Sequence, residues 1–400
     1  MSEAGARWRA LVLTGLAVVL ALTTWFSATA VAPELVAAWG LSAQQAGWLT
    51  NAVQLGFVVG ALVSSLLAIA DVVPLTRLMA GAALLAAIAN AVLLFEPGGG
   101  AAIAARCLTG VALAAIYPPS LKFIATWFQK GRGFAMGAMV GALTLGSALP
   151  HLVRAAGAGV DWRLVVAVAS LACLVAALIF AFALVEGPHG FARAKVDPRQ
   201  VGAILRNRPV MLANLGYFGH MWELYAMWGW FLAYASAATA HGEWGWNASV
   251  LVFAVIAMGA PGCVLAGLLA DRIGRCYTTA LAMAVSGMCA LLIGVFIGAP
   301  WAFLVIALLW GLTVVADSAQ FSAAVTELAD QSFVGSALAF QMGVGFAITI
   351  FTIWLVPQIA ETVGWRWTFL VLVPGPILGA WAMLRLRARP EAVRIAGGLR

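Results

Sequence analysis

The chain has 400 residues, of which 64% are hydrophobic and only 9% charged. A soluble domain carries about 25% charged residues, so this composition excludes a water-soluble enzyme or binding module and points to a bilayer. The formal charge of +7 would suit a nucleic-acid partner if it were clustered on a folded surface; here the basic residues gather at the ends of apolar runs, which excludes that partner and leaves an orienting role.

The first apolar run, "LVLTGLAVVLALTTWFSATAVA", is long enough to cross a hydrocarbon core of about 30 Å, and similar runs follow to the end of the chain. Backbone groups in lipid must pair within their own segment, so these runs are predicted helices; they are too long and continuous for barrel strands. The basic start "MSEAGARWRA" resembles the head of a signal peptide, but the run behind it exceeds such a peptide's short core, so it is read as a retained first helix. Twelve spans are predicted, at 10–33, 43–70, 75–95, 101–126, 133–153, 164–185, 210–236, 248–270, 277–298, 301–326, 333–358 and 367–385. Of the 22 lysines and arginines, eighteen fall at the termini and in the even-to-odd loops, three on the opposite side (Arg154, Arg163, Arg366), and Arg106 lies within a span. That bias places both termini in the cytoplasm, with the protein in the inner membrane.

Taken in order, the first span offers Trp25, Ser27 and Thr29, and the second holds Asn51 and Gln54 and ends at Asp71 in "AIADVVPLTR". The fourth carries Arg106 in "RCLTG", then Tyr117, with Lys122 at its inner end; the fifth has Gly137 and Gly141 at a spacing that permits close packing. The sixth opens on "VDWR", and the polar stretch "EGPHGFARAKVDPRQVGAILRNRP" follows. The seventh contains "GYFGHMWELYAMWGW", where His220 and Glu223 stand three residues apart among Tyr217, Trp222, Tyr225 and Trp228. The eighth ends at Asp271 in "GLLADRIGR", the tenth carries Asp317, and the twelfth opens on "VGWRW". Asp71 and Asp271 are 200 residues apart, and Trp162 and Trp365 are 203 apart. The chain is therefore read as duplicated, with six-helix halves at 1–186 and 210–400 and a cytoplasmic linker at 187–209.

The five cysteines form neither a metal spacing nor a disulfide framework, and His151, His189, His220 and His241 lie too far apart in sequence to suggest a metal or nucleophile set. No phosphate-cradling loop for a nucleotide occurs. No enzyme activity, metal or cofactor is expected.

The residues Gly267, Asp271, Arg272, Gly274 and Arg275 in "GLLADRIGR" resemble the loop signature of the major facilitator superfamily, and Arg106 with Gly110 resembles its fourth-helix arginine motif. The first half keeps Asp71 and Arg77 of the signature, with Leu67 at the glycine position and Pro74 at the turn. The family's antiporter signature departs here, since Pro150 comes late in the fifth span. The resemblance covers essentially the whole chain. It implies an all-α integral membrane protein of twelve helices in two six-helix halves, with a central cavity lined by the first, fourth, seventh and tenth helices and with access that alternates between the two sides. The signature residues Gly267, Asp271, Arg272, Gly274, Arg275, Asp71 and Arg77 would then form gating loops.

Within that fold, buried ionisable groups are expensive and mark function by default. At a rise of 1.5 Å per residue, His220 lies about 15 Å and Glu223 about 20 Å from Val210, near mid-membrane. Arg106 matches Glu223 in depth better than it matches Asp317. His220 and Glu223 share a helical face and can satisfy one another; Asp317, beside Ser318 and Gln320, suits the cap of a break in the tenth span. Glu223, His220 and Asp317 are expected to couple transport to protons, with sodium the alternative ion. Arg106, Trp25, Tyr117, Tyr217 and Trp222 are expected to bind substrate. The function expected is proton-coupled uptake of a small organic anion by a monomer in a lipid bilayer, with proton-driven efflux of a drug-like compound or metabolite as the alternative.

Overall fold

Backbone hydrogen bonds in this chain close almost entirely within helices, as a chain without access to water demands; the computed structural model contains no strand among the described residues, which are 3–128, 131–157, 161–189, 200–330 and 334–400. Residues 190–199 of the predicted linker lie outside this set, and with them Arg193, Lys195 and Arg199. Among the described residues, eleven helical stretches are long and apolar enough to cross a membrane. The predicted seventh span is not among them, although its helix, Arg208–Gly242, runs for 35 residues. Its tryptophans and tyrosines, with Asn214, His220 and Glu223, dilute the hydropathy of a segment whose length, about 52 Å, is ample.

The chain divides into two units, Met1–Arg193 and Ala194–Arg400. In the first, the opening span runs over Glu3–Leu22, breaks, and resumes as Ser27–Ala30 and Ala32–Trp39. The next five are Ala43–Leu66, Leu75–Ala91, Gly99–Ala114 continued by Tyr117–Ala125, Arg132–Ala156 and Trp162–Phe182. In the second unit the seventh helix is followed by Ala248–Ala257 continued by Gly259–Ile273, then Arg275–Leu292, Pro300–Thr313 continued by Ser318–Leu328, Val334–Val363, and Trp365–Thr368 continued by Pro374–Arg387.

Local chemistry sets several of these ends. Ser42 accepts from the Gln45 N–H, and the Gln45 side chain returns to the Ser42 N–H, a reciprocal cap that starts the second helix. In the first helix the hydroxyls of Thr23 and Thr24 donate to the carbonyls of Leu20 and Ala21 at 2.6 and 2.8 Å. These local bonds compete with the helix ladder, and the helix ends there. In the fourth, Pro118 removes an N–H and crowds the carbonyl four residues back, so the first segment stops at Ala114.

The duplication is written in the packing. Within the first unit the second helix packs mainly on the fourth, the third on the sixth, and the first on the fifth and sixth; the second unit repeats this with the eighth on the tenth, the ninth on the twelfth, and the seventh on the eleventh and twelfth. The contacts repeat residue by residue. A Cβ on Gly110 would meet the Val53 carbonyl at 2.1 Å and one on Gly60 the Val111 carbonyl at 2.7 Å. In the second unit a Cβ on Gly311 would meet the Val255 carbonyl at 1.8 Å and one on Gly262 the Leu312 carbonyl at 1.9 Å. Each of these positions has its counterpart 201 or 202 residues on. Backbones this close are reached only through small residues. The repeated Trp–Arg pairs act alike too: Arg163 pairs with Glu96 beyond the third helix, and Arg366 donates to the Gly294 carbonyl beyond the ninth at 3.0 Å.

Candidate functional site

The seventh helix starts at Asn207, whose side chain accepts from the Val210 N–H, with Pro209 in its first turn, and it continues unbroken past its ionisable residues. Glu223 is buried, with both oxygens engaged: the Trp310 indole N–H donates to Oε1 at 2.7 Å and the Ser286 hydroxyl to Oε2 at 2.8 Å. His220 and Asp317 are also buried, and Nδ1 stands 2.9 Å from Oδ1. The contact is close without being aligned, since among the described residues Asp317 Oδ1 has no hydrogen-bond partner; His220 Nε2 has none there either. Phe321 and Tyr217 enclose the imidazole, with ring centres 5.6 and 6.0 Å away.

His220 and Glu223 therefore do not satisfy one another. Their offset of three residues advances about 4.5 Å along the axis. That is enough for the two side chains to meet different turns of the tenth helix, Glu223 at Trp310 and His220 at Asp317. Asp317 does stand at a break, immediately before Ser318–Leu328, but its side chain caps no N–H of that segment; it is turned to His220. Glu223, His220, Asp317 and Tyr217 are thus brought together in the second unit. Trp222 is not: its indole donates to the Val371 carbonyl at 2.9 Å and its ring lies against Phe351, toward the eleventh and twelfth helices.

Sequence reasoning missed Trp310 and Ser286. Had the span been continuous, as the sequence predicts, Trp310 would share a face with Asp317 seven residues on, and that spacing was a usable signal. A lone serine in an apolar span is too common to single out.

In the first unit Arg106 is fully buried, and its guanidinium is occupied by the broken first helix. It donates to the Thr24 carbonyl at 2.8 Å, to the Trp25 carbonyl, to Ser27 Oγ at 3.3 Å, to Asn90 Oδ1 at 2.9 Å and to the Leu49 carbonyl at 3.2 Å. Asn90 in turn donates to Ser170 Oγ at 2.9 Å and to the Val166 carbonyl at 3.2 Å. A helix break frees carbonyls that lipid cannot satisfy, and a planar fork with five donors meets several of them at once. Trp25 shares this cluster through its carbonyl, with its ring buried against Phe57. Tyr117 opens the second segment of the fourth helix and is half-buried.

The predicted gating residues separate into two groups. Asp271, Arg272 and Arg77 are exposed, and Asp271 enters none of the described hydrogen bonds or ion pairs, while Gly267 is buried. Gly274 makes the turn at φ +86°, where a side chain would be strained. Arg275 grips Glu327 by two bonds of 3.0 and 2.7 Å and Gln320 by a third of 2.6 Å. In the first unit Asp71 pairs with Lys122, which also donates to the Ala70 carbonyl at 2.9 Å.

Two repeated six-helix units with ionisable side chains buried inside their spans define a polytopic membrane protein of the transporter class. The family model described as Major Facilitator Superfamily matches residues 14–316, and the chain belongs to that family. Among solved structures it is similar to the MFS proton:xylose symporter XylE bound to 6-bromo-6-deoxy-D-glucose, with a TM-score of 0.73 and 14% sequence identity over 96% of each chain. At that identity the likeness establishes the shared fold. No curated protein matches the chain.

Proposed function

We propose that the protein moves a small organic solute together with protons by alternating access, in the direction of uptake. The observation that carries this reading is the Glu223, His220 and Asp317 cluster in the second unit. It places two acids and one base in a buried setting, and among the described residues the hydrogen-bond donors to Glu223 are the neutral Trp310 and Ser286. An ionised Glu223 is therefore uncompensated at close range, whereas the same side chain carrying a proton is neutral, so proton gain and loss change the energy of the site. The symporter that shares the fold is named for the same kind of coupling.

The anion reading depended on Arg106, and its donors are spent on carbonyls, Ser27 and Asn90. A solute recognised by hydrogen bonds and aromatic contact suits the residues better. Tyr217, beside the cluster, is the substrate contact these residues favour.

Solutes that raise the thermal midpoint of the purified protein would be taken into proteoliposomes as candidates. An inward proton gradient is expected to drive their accumulation, and solute addition is expected to alkalinise the medium. Uptake that is indifferent to the gradient and to a proton ionophore would reject proton coupling.

A further inference from the structure

The tenth helix is joined to its surroundings at two places that the coupling chemistry does not explain together. At one end of Ser318–Leu328 stands Asp317, against His220. At the other end Glu327 holds two elements at once: Arg275 at the start of the ninth helix, by the two bonds already given, and the backbone N–H of Ala396, at 3.0 Å to Oε2. Residues 390–400 are thereby drawn onto the loop at Gly274. The Cys276 N–H donates to the Arg400 carbonyl at 3.4 Å, Arg387 donates to the Leu399 carbonyl at 2.9 Å, and Ala392 and Ile395 are fully buried. The backbone approach is tight: a Cβ on Gly274 would stand 1.9 Å from the Arg400 carbonyl.

The first unit carries the same arrangement without counterparts of the Asp317–His220 and Glu327–Arg275 pairs. Its fourth helix breaks at Ile116, 201 residues before Asp317, and the segment beyond the break, Tyr117–Ala125, is followed at its C-cap by Thr126, 201 residues before Glu327. Thr126 likewise holds the chain that follows the sixth helix: its hydroxyl accepts from the Gly187 N–H at 2.8 Å and its carbonyl from the His189 N–H at 3.1 Å. Glu186 in that same stretch caps the Leu75 N–H at 2.7 Å, and Leu75 is the counterpart of Cys276. A break followed by a segment clasped at its far end is thus part of the repeated plan, and of the two the second unit's break carries a carboxylate, Asp317, where the first has Ile116.

We propose that Ser318–Leu328 is a clasped lever, through which a change of charge on the Asp317–His220 pair is felt at the loop of residues 274–276 and at the segment of residues 390–400 clasped to its far end. The two ends lie ten residues apart, about 15 Å along a helix. The segment is a single rigid element with a break behind it, so it transmits a tilt rather than absorbing one. The titratable or charged groups near its Asp317 end are His220, Tyr217 and Glu223 on the seventh helix, and near its Glu327 end Arg275, Glu327 and Arg387. The proposal relies on the coupling reading only for where the change of charge comes from.

Hydrogen exchange on the purified full chain tests it. Asp317→Asn is expected to speed exchange of the Cys276 and Ala396 amides by about fivefold or more, while Leu75 and Gly187 in the first unit stay as they were. Glu327→Ala should do the same, and adding Asp317→Asn to it should change nothing further, because the connection is already cut. Unchanged exchange at those amides in Asp317→Asn, or simple additivity in the double variant, overturns the lever. Should Asp317→Asn fail to fold, His220→Gln alters the same pair from the other side and decides the matter by the same comparison. Loss of proton-driven accumulation with unaltered exchange would leave the coupling reading standing and reject the lever. Altered exchange in a protein whose transport ignores the proton gradient would do the reverse.

Discussion

Glu223→Gln is expected to abolish proton-driven accumulation of solute while solute-for-solute exchange at equal concentrations survives. A one-unit pH gradient sustains about tenfold accumulation through one-proton coupling, and the variant should fall to no accumulation. The substitution suits the site. The glutamine carbonyl still accepts from the Trp310 N–H, and the Ser286 hydroxyl, which donates to the carboxylate, rotates to accept from the amide. The protein therefore folds, and only the titration is lost. The measurement is a paired one in proteoliposomes, accumulation under a gradient against counterflow without it. If Glu223 merely ties the seventh helix to the ninth and tenth, both modes fall together and the thermal midpoint drops. Full accumulation by a well-folded variant removes Glu223 from the coupling and leaves Asp317 to be tested next.

Arg106→Leu is expected to be the most damaging single change in the first unit. It removes the charged donor from the carbonyls of Thr24, Trp25 and Leu49 at once, although the Ser27 hydroxyl still donates to the Thr24 carbonyl at 3.1 Å; hydrogen bonds from a charged group are worth about 1.5–3 kcal/mol each. A loss of several kcal/mol is enough to unfold many proteins, so the variant should be recovered in poor yield with a markedly lower thermal midpoint. Arg106→Lys distinguishes the two roles this residue has been given. A lysine keeps the charge but cannot span acceptors on three helices, so a structural tie predicts that it too is destabilised. A substrate contact predicts the opposite: a normal midpoint with weakened solute binding.

The span pattern, the duplication and the family likeness were legible because each depends on composition or on repeated local motifs. The element most exposed to error was the one of most interest. The seventh helix is the least convincing span by hydropathy because its polar and aromatic residues face neighbouring helices instead of lipid. Partners were not legible, for a geometric reason. Spacing along one helix says which residues share a face, and that brought His220 and Glu223 together on paper; it says nothing of the depth at which a second helix meets each of them. His220 finds its partner 97 residues away and Glu223 finds one 87 away. Arg106 was recognisable as a buried charge, but two of the acceptors that hold it, the Thr24 and Trp25 carbonyls, stand at a break, and the others come from Ser27, Asn90 and Leu49 on three different helices. That break falls at two threonines whose hydroxyls bond carbonyls three residues back, in a stretch with neither proline nor glycine to announce it.

The bond between Trp310 and Glu223 also has an optical side. The absorption and emission of an indole shift with the electric field across the ring and with the strength of the acceptor at its N–H. A carboxylate and a carboxylic acid at 2.7 Å present two very different fields to Trp310. If Glu223 gains and loses a proton as proposed, one of the chain's 17 tryptophans would serve as an indicator dye built against it. Its colour change can be isolated as the difference between spectra of the native protein and of Trp310→Phe. The charge on Glu223 then becomes something that can be watched in time, with no label attached and without waiting for solute to cross.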